Sequence, residues 1–301
     1  MRIIDKIRLL LALPLLIIRA KRKWLTAGND LPGKAFFTFG RSLAFKLLSS
    51  GKISPKLLLN PVSIVRYFEF AFVESLINTE ERYRVLDIAS PYLMTFKLLH
   101  DHNIDIQYIN PDTNDLRDVA AKSKSLPLKG SLKCLNMNAL DLVSREDRFD
   151  TIFSISVIEH VANNQDGEFI SAAWKVLKPG GLLILTFPVK AVFEEEFIDK
   201  DVYGLNNEKK KDKFFFQRYY DEQSIKERLL NQLSNFEIIS QRVFGETSKN
   251  FYHEYHKRWN AKGYFETIND PIYIANHFKD YQSISELPGL GILGIAIKKK
   301  K

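Results

Sequence analysis

The stretch VLDIASPY (residues 85–92) combines residue types that can do chemistry. Asp87 closes an apolar run, and a turn and a helix start follow it. A carboxylate at that point can meet a cationic group, and the amides opening the next helix can meet an anionic one. Ser90 is a suitable helix N-cap and Pro91 suits the first helical position. Ala89 adds a methyl group where glycine would let a ligand come closest to the backbone. Further along, Glu159 and His160 follow the apolar run FDTIFSISV, and an imidazole that titrates near neutral pH can serve as a general base. FFFQRYY (214–220) brings a cation, Arg218, and two phenols, Tyr219 and Tyr220, and is expected to form a lid. No Cys/His cluster has metal-ligand spacing, so no metal site is expected.

These residues need elements to hold them. YRVLDIA (83–89), DIQYIN (105–110), SLKCLNM (131–137), FDTIFSIS (149–156) and GLLILTFP (181–188) read as strands. PYLMTFKLLHDH (91–102), TNDLRDVAAKS (113–123) and GEFISAAWKVL (167–177) between them read as helices. Strand and helix alternating at this spacing predict a parallel sheet with helices on both faces. Ligands of such sheets bind beyond the carboxyl ends of the strands, where strand order reverses. A strand at 235–244 and a last apolar strand, LGILGIAI (290–297), follow a helix capped by Asp221.

The ordered set RVLDIASP, YINPD, NMNALDL, FDTIFSISVIEHV and LKPGGLLILTFP resembles the class I methyltransferases that use S-adenosylmethionine (SAM), over roughly 80–190 and continuing through the last strands. The resemblance implies an α/β fold: a doubly wound, seven-stranded, mostly parallel, Rossmann-like sheet, here with a helical N-terminal extension. It implies a SAM site drawn from Asp87, Ala89 and Ser90 in the first loop, Asn110 and Asp112 at the ribose, Asn138 and Ala139 at the adenine, and Ser154 and Ser156 at the methionine end. Where the family usually has Asp-x-Gly-x-Gly-x-Gly, this chain has Ala89, Pro91 and Leu93 at the glycine positions, closer to an Asp-x-Gly-Ser-Pro variant. Asn110 stands where an acid usually grips the ribose, with Asp112 two residues on. His160, Tyr219 and Tyr220 are the catalytic candidates. The implied activity is methyl transfer to oxygen or nitrogen of a small molecule, a glycan or a lipid-linked acceptor. The alternative is a catalytically inactive scaffold on the same fold.

Composition bounds the rest. The chain has 301 residues, 45% of them hydrophobic, with 22 Phe and 12 Tyr. One cysteine, Cys134, excludes an internal disulfide and fits a reducing, cytoplasmic setting; it is expected on a buried strand. The net charge of +8 gathers at the chain's start, at 209–211 and at 298–301. Clustering at the ends rather than along a groove, and the absence of an Asn-Pro-Pro-Tyr-like motif after the fourth strand, argue against nucleic acid. LLLALPLLII (9–18) is too short to span a bilayer, but basic flanks and Trp24 suit an interfacial helix at the inner membrane face. Docking on the protein's own body is the competing expectation, and Pro14 is expected to kink the helix. Residues 1–60 are thus expected as a basic extension, and 61–301 as one methyltransferase-like domain with insertions at 189–217 and 245–289.

Overall fold

The computed structural model describes residues 3–301 apart from 29, 50, 81, 82, 203 and 205–208, with side chains from residue 11 onward. The basic residues Arg2, Lys6 and Arg8 of the predicted extension lie outside the side chains described. The chain divides into two compact units, residues 1–71 with 246–279, and 72–245 with 280–301.

The larger unit is built on an eight-stranded sheet. Its strands are β1 (Arg84–Ile88), β2 (Asp105–Ile109), β3 (Ser131–Leu135), β4 (Phe149–Ile155), β5 (Leu177–Val189), β9 (Phe236–Glu246), β10 (Phe278–Tyr281) and β11 (Gly291–Lys299). The order is β10-β9-β11-β5-β4-β1-β2-β3. β1 pairs in parallel with both β2 and β4, and β11 runs antiparallel to β5 and β9. Strand order therefore reverses between β1 and β4, which is where such a sheet opens a crevice at its carboxyl edge. The sheet has one strand more than the seven expected. β10 joins the edge beside β9, and its four residues are too few for a period-2 pattern to stand out.

The helices α5 (Tyr92–Asp101), α6 (Thr113–Ser123) and α7 (Asp166–Val176) make the crossovers. α7 buries Ile170 and Ala173 in the cluster that holds Leu86, Ile152, Leu183 and Phe187 of the sheet. Asp221 caps the short α8 (Glu222–Ser224) through a reciprocal bond with Ser224, as its sequence position predicts. Cys134 is half-buried rather than buried, because β3 is an edge strand. The segment expected as an irregular insertion forms a second sheet of β6 (Glu194–Ile198), β7 (Lys209–Lys210) and β8 (Lys213–Tyr219), in the order β6-β8-β7.

The smaller unit is helical: α1 (Ile3–Thr26), α2 (Lys34–Ser49), α3 (Pro55–Leu59), the start of α4 (Arg66–Glu74), then α9 (Phe251–Lys262), α10 (Tyr264–Thr267) and α11 (Asp270–His277). Two segments expected as separate, the N-terminal extension and the second insertion, thus fold together. Asn60 Nδ2 donates to the buried carboxylate of Asp270 at 2.8 Å, a pair 210 residues apart in the chain. Burial holds the Asp270 carboxyl well above its ordinary value. α1 continues through Pro14 without a break in helix assignment. No helix among the described residues is long and apolar enough to cross a membrane.

Candidate active site at the carboxyl edge of the sheet

The turn after β1 is the centre of the site. Ala89 adopts φ +51°, a left-handed conformation that costs a residue with a Cβ roughly 1–2 kcal/mol. It is partly exposed, between the buried Ile88 and Ser90. The conformation that the family's glycine would supply is therefore present without glycine. At the end of the neighbouring β4, Ser156 also lies in the left-handed region, at φ +48°. Strained non-glycine residues persist where surrounding structure holds them, and they gather at ligand sites.

What holds Ala89 is Asp87. Its carboxylate is fully buried and accepts from Ser90 N at 3.0 Å and from the Thr95 hydroxyl. Desolvation by burial raises its pKa to about 7 against these bonds. Asp87 was expected to touch the cofactor's cationic end; in the structure both its oxygens face the protein, so it shapes the turn. Ser90 departs from expectation as well. It does not cap α5; its hydroxyl accepts from Ile155 N at 3.1 Å. Ser154 Oγ donates to Ile88 O at 3.1 Å. These two bonds clamp the ends of β1 and β4 together. Pro91 is the N-cap of α5 and no side chain caps that helix. Met94 N bonds back to Pro91 O at 3.1 Å, and the positive end of the α5 dipole lies just past the turn, where it favours an anion such as a carboxylate.

At the end of β2, Asn110 is buried, and its Oδ1 accepts from Asp112 N at 2.9 Å. Asp112 is itself occupied as the N-cap of α6, accepting from Asn114 N at 2.8 Å. Asn110 Oδ1 thus serves the loop, while Asp112 is engaged only through Oδ1 and its Oδ2 has no partner among the described residues. Asp115, which sequence reasoning passed over, offers a second such acceptor. Its Oδ2 accepts from Asn110 Nδ2 at 2.7 Å and from the Tyr108 hydroxyl at 3.0 Å, and its Oδ1 has no partner among the described residues. Burial and the neighbouring Asp112 raise its pKa. The signal was available as a second acid, after Asp112, in the first turn of α6, at the helix start the sequence already predicted.

After β3, Asn138 Oδ1 accepts from Leu140 N at 3.0 Å in a capping box with Asp141, so the oxygen expected for adenine is engaged. Ala139 beside it is buried. After β4, His160 Nδ1 lies 2.6 Å from Phe216 O. A carbonyl can only accept, so Nδ1 carries a proton, and in the neutral ring the lone pair is on Nε2. Nε2 stands 3.7 Å from Glu159 Oε1, and the His160 side chain is 19% exposed.

The predicted lid is β8, a paired strand that backs this segment. Arg218 is fully buried, stacks on Phe215, and donates to Val161 O and, at 3.2 Å, to Glu195. It is not an open anion contact. Replacing Arg218 with alanine should cost about 3 kcal/mol, the usual penalty for breaking a buried pair, read as a lowered Tm. Tyr220 is also fully buried, with its hydroxyl 3.0 Å from Asp166. Burial, then the Asp166 charge, hold its phenol well above the ordinary value, which suits packing and not proton transfer. Tyr219 is half-buried, and its hydroxyl donates to Glu196 at 2.7 Å. Of the two phenols it alone keeps access to solvent. No group of His, Cys, Asp and Glu that could hold a metal occurs among the described residues.

Residues 86–185, the span from within β1 to β5, match the family described as "Methyltransferase domain". No curated protein matches the sequence. A protein from Bacillus halodurans described as a methyltransferase shares the fold at a TM-score of 0.50 and 12% identity, over 77% of this chain and 99% of that one. The cyclopropane synthase MmaA2 from Mycobacterium tuberculosis aligns at a TM-score of 0.50 and 11% identity, over 78% and 84% of the two chains. The N-methyltransferase NodS from Bradyrhizobium japonicum, solved with S-adenosyl-L-homocysteine, aligns at 0.46 and 12%, over 87% and 99%. The chain has the Rossmann-like methyltransferase fold with a mostly parallel sheet.

Proposed function

We propose that this class I SAM-dependent methyltransferase transfers its methyl group to oxygen or nitrogen of a small-molecule, glycan or lipid-linked acceptor, in the cytoplasm at the inner membrane face. The observation that carries a working SAM site is the left-handed turn at Ala89, held by the buried Asp87 above an uncapped α5. It supports the first loop, Asp-Ile-Ala-Ser-Pro, as a functional variant of the family's glycine-rich loop.

SAM supplies an electrophilic methyl on a sulfonium. The positive end of the α5 dipole would attract its carboxylate, and Asp115 Oδ1 or Asp112 Oδ2 would accept from a ribose hydroxyl. Ser154 and Ser156, on alternate positions at the end of β4, line the place where the methionine end would lie. In-line displacement needs alignment and exclusion of water more than it needs an acid or base. For a hydroxyl or ammonium acceptor, His160 can take the proton at Nε2, because the carbonyl of Phe216 fixes the other proton on Nδ1. Tyr219 stands as an acceptor contact. Replacing His160 with glutamine should lower kcat by about 10²–10⁴-fold and leave SAM affinity unchanged. A screen of acceptors with methyl-labelled SAM, followed by steady-state kinetics of that variant, measures both. If no acceptor class is labelled although SAM binds, the second reading gains: a scaffold that binds SAM without turning it over. Arg218 and Tyr220, buried and closed to an acceptor, favour it.

Membrane contact through residues 1–24 is supported by α1, whose Leu11, Leu15 and Ile18 are exposed. Trp24 does not join that contact; it stacks on Phe37 at 5.7 Å within the helical unit.

A further inference from the structure

The helical unit holds a feature that methyl transfer does not use. α1 has two faces. Leu16 and Ala20 are buried, and the helix packs on α3 and α11. Leu11, Leu15 and Ile18 follow one another at i, i+4 and i+7 and are exposed by 80%, 53% and 52%. That spacing puts them in one stripe, which continues to Arg22 and Leu25. A row of large aliphatic side chains left in water marks an interaction surface.

One turn beyond Ile18 the chemistry changes. Arg19, Arg22 and Lys23 line an open cavity of about 340 Å³ with Phe265, Ile268 and Asn269. The volume falls in the range of small-ligand clefts. Its lining holds three cations and no carboxylate. None of the three cationic groups has an ion-pair or hydrogen-bond partner among the described residues. Arg258 and Arg228, by comparison, are paired to Glu266 and Asp166. Two guanidinium forks and an ammonium lining one cavity without a counter-charge match a phosphate group, which takes bidentate bonds from arginine.

We propose that this cavity holds the phosphate headgroup of an anionic membrane lipid, while Leu11, Leu15 and Ile18 enter the acyl boundary beside it. Charge complementarity selects the phosphate, and the adjoining aliphatic stripe selects a lipid over a free anion. An exposed aliphatic stripe of this kind suits an interfacial helix, whose apolar face sinks about 5–10 Å. This rests on the membrane contact proposed for residues 1–24.

The test is flotation of the full chain with three vesicles: phosphatidylcholine alone, and mixtures with phosphatidylserine or with phosphatidic acid matched in surface charge. Phosphatidic acid exposes a phosphate monoester, so it should be bound at least about tenfold more tightly than phosphatidylserine, the worth of one charge-assisted hydrogen bond. Arg19→Ala/Arg22→Ala/Lys23→Ala should erase that preference. Lys298→Ala/Lys300→Ala/Lys301→Ala, which removes as much charge elsewhere, should keep it. Leu15→Ser/Ile18→Ser should lose all vesicles, with thermal melting confirming that all three multiple variants fold. Equal binding of the two anionic vesicles by the unaltered chain would overturn the cavity's role and leave the membrane contact standing. Absence from all vesicles would overturn both. Binding of glycerol phosphate in solution as tightly as of phosphatidic-acid vesicles would overturn the lipid as its source.

Discussion

Ala89→Val is expected to weaken SAM binding by about 10–100-fold, one to two steps of 1.4 kcal/mol, with the fold retained. Two effects act together. A β-branched residue at φ +51° is more strained than alanine, and its second methyl stands on the exposed side of the turn, where the cofactor must approach. Ala89→Gly runs the other way. Glycine adopts this φ freely, so the strain of roughly 1–2 kcal/mol is relieved, partly offset by the greater freedom of glycine in the unfolded chain. The variant should be more stable by up to about 1 kcal/mol, with SAM affinity equal or better. Calorimetric titration and thermal melting of the pair read both effects. An Ala89→Val protein that binds SAM normally would remove this turn from the site.

Asp87→Ala is the second large effect. It leaves the buried amide of Ser90 and the hydroxyl of Thr95 without an acceptor, at about 1–3 kcal/mol each, so stability should fall by about 2–6 kcal/mol. Denaturant melts measure this. Asp87→Asn keeps the shape and removes the charge, and so isolates the pH dependence. The native carboxyl has a pKa of about 7, raised above the ordinary value of 3.8 by burial. The folded state therefore keeps a proton that the unfolded chain releases, and stability from this group is full below about pH 4 and lost as pH rises to about 7. Stability of the unaltered protein should fall across that window, and the Asp87→Asn profile should be flatter there. A cation bound over the turn favours the carboxylate, so SAM binding near pH 6–7 should release part of a proton, and the asparagine variant should release none. Titrations in buffers of different ionisation enthalpy detect the difference.

Much of the sheet was legible because its strands are buried on both faces and read as continuous apolar runs: VLDI, TIFSI and LLILTF. Their order follows from right-handed crossovers through α5, α6 and α7. The small sheet was not legible, since Glu194–Glu196 and Lys209–Lys211 give no apolar period, and its pairing of Glu195 with Arg218 is settled only in three dimensions. Nor could the sequence show that Asn60 meets Asp270, because a single buried polar pair leaves no periodic trace. At the site, the positions were found more readily than the roles. Asp87, Ser90 and Asn110 all lie at the carboxyl edge, yet each spends its hydrogen bonds on shaping loops, Asp112 keeps only Oδ2 for a ligand, and Asp115 joins it as an acceptor. Residue type fixed what each could bind. Which partner lay nearest depended on backbone turns, above all the left-handed turn at Ala89, that a residue with a Cβ does not advertise.

The most direct measurement is calorimetric titration of the full chain with SAM, repeated on Ala89→Val. The account predicts one saturable site per chain with a Kd between about 1 μM and 1 mM, the range typical of enzyme–ligand affinities, and its loss in the variant. No saturable heat at millimolar SAM, or identical isotherms for the two proteins, would contradict it.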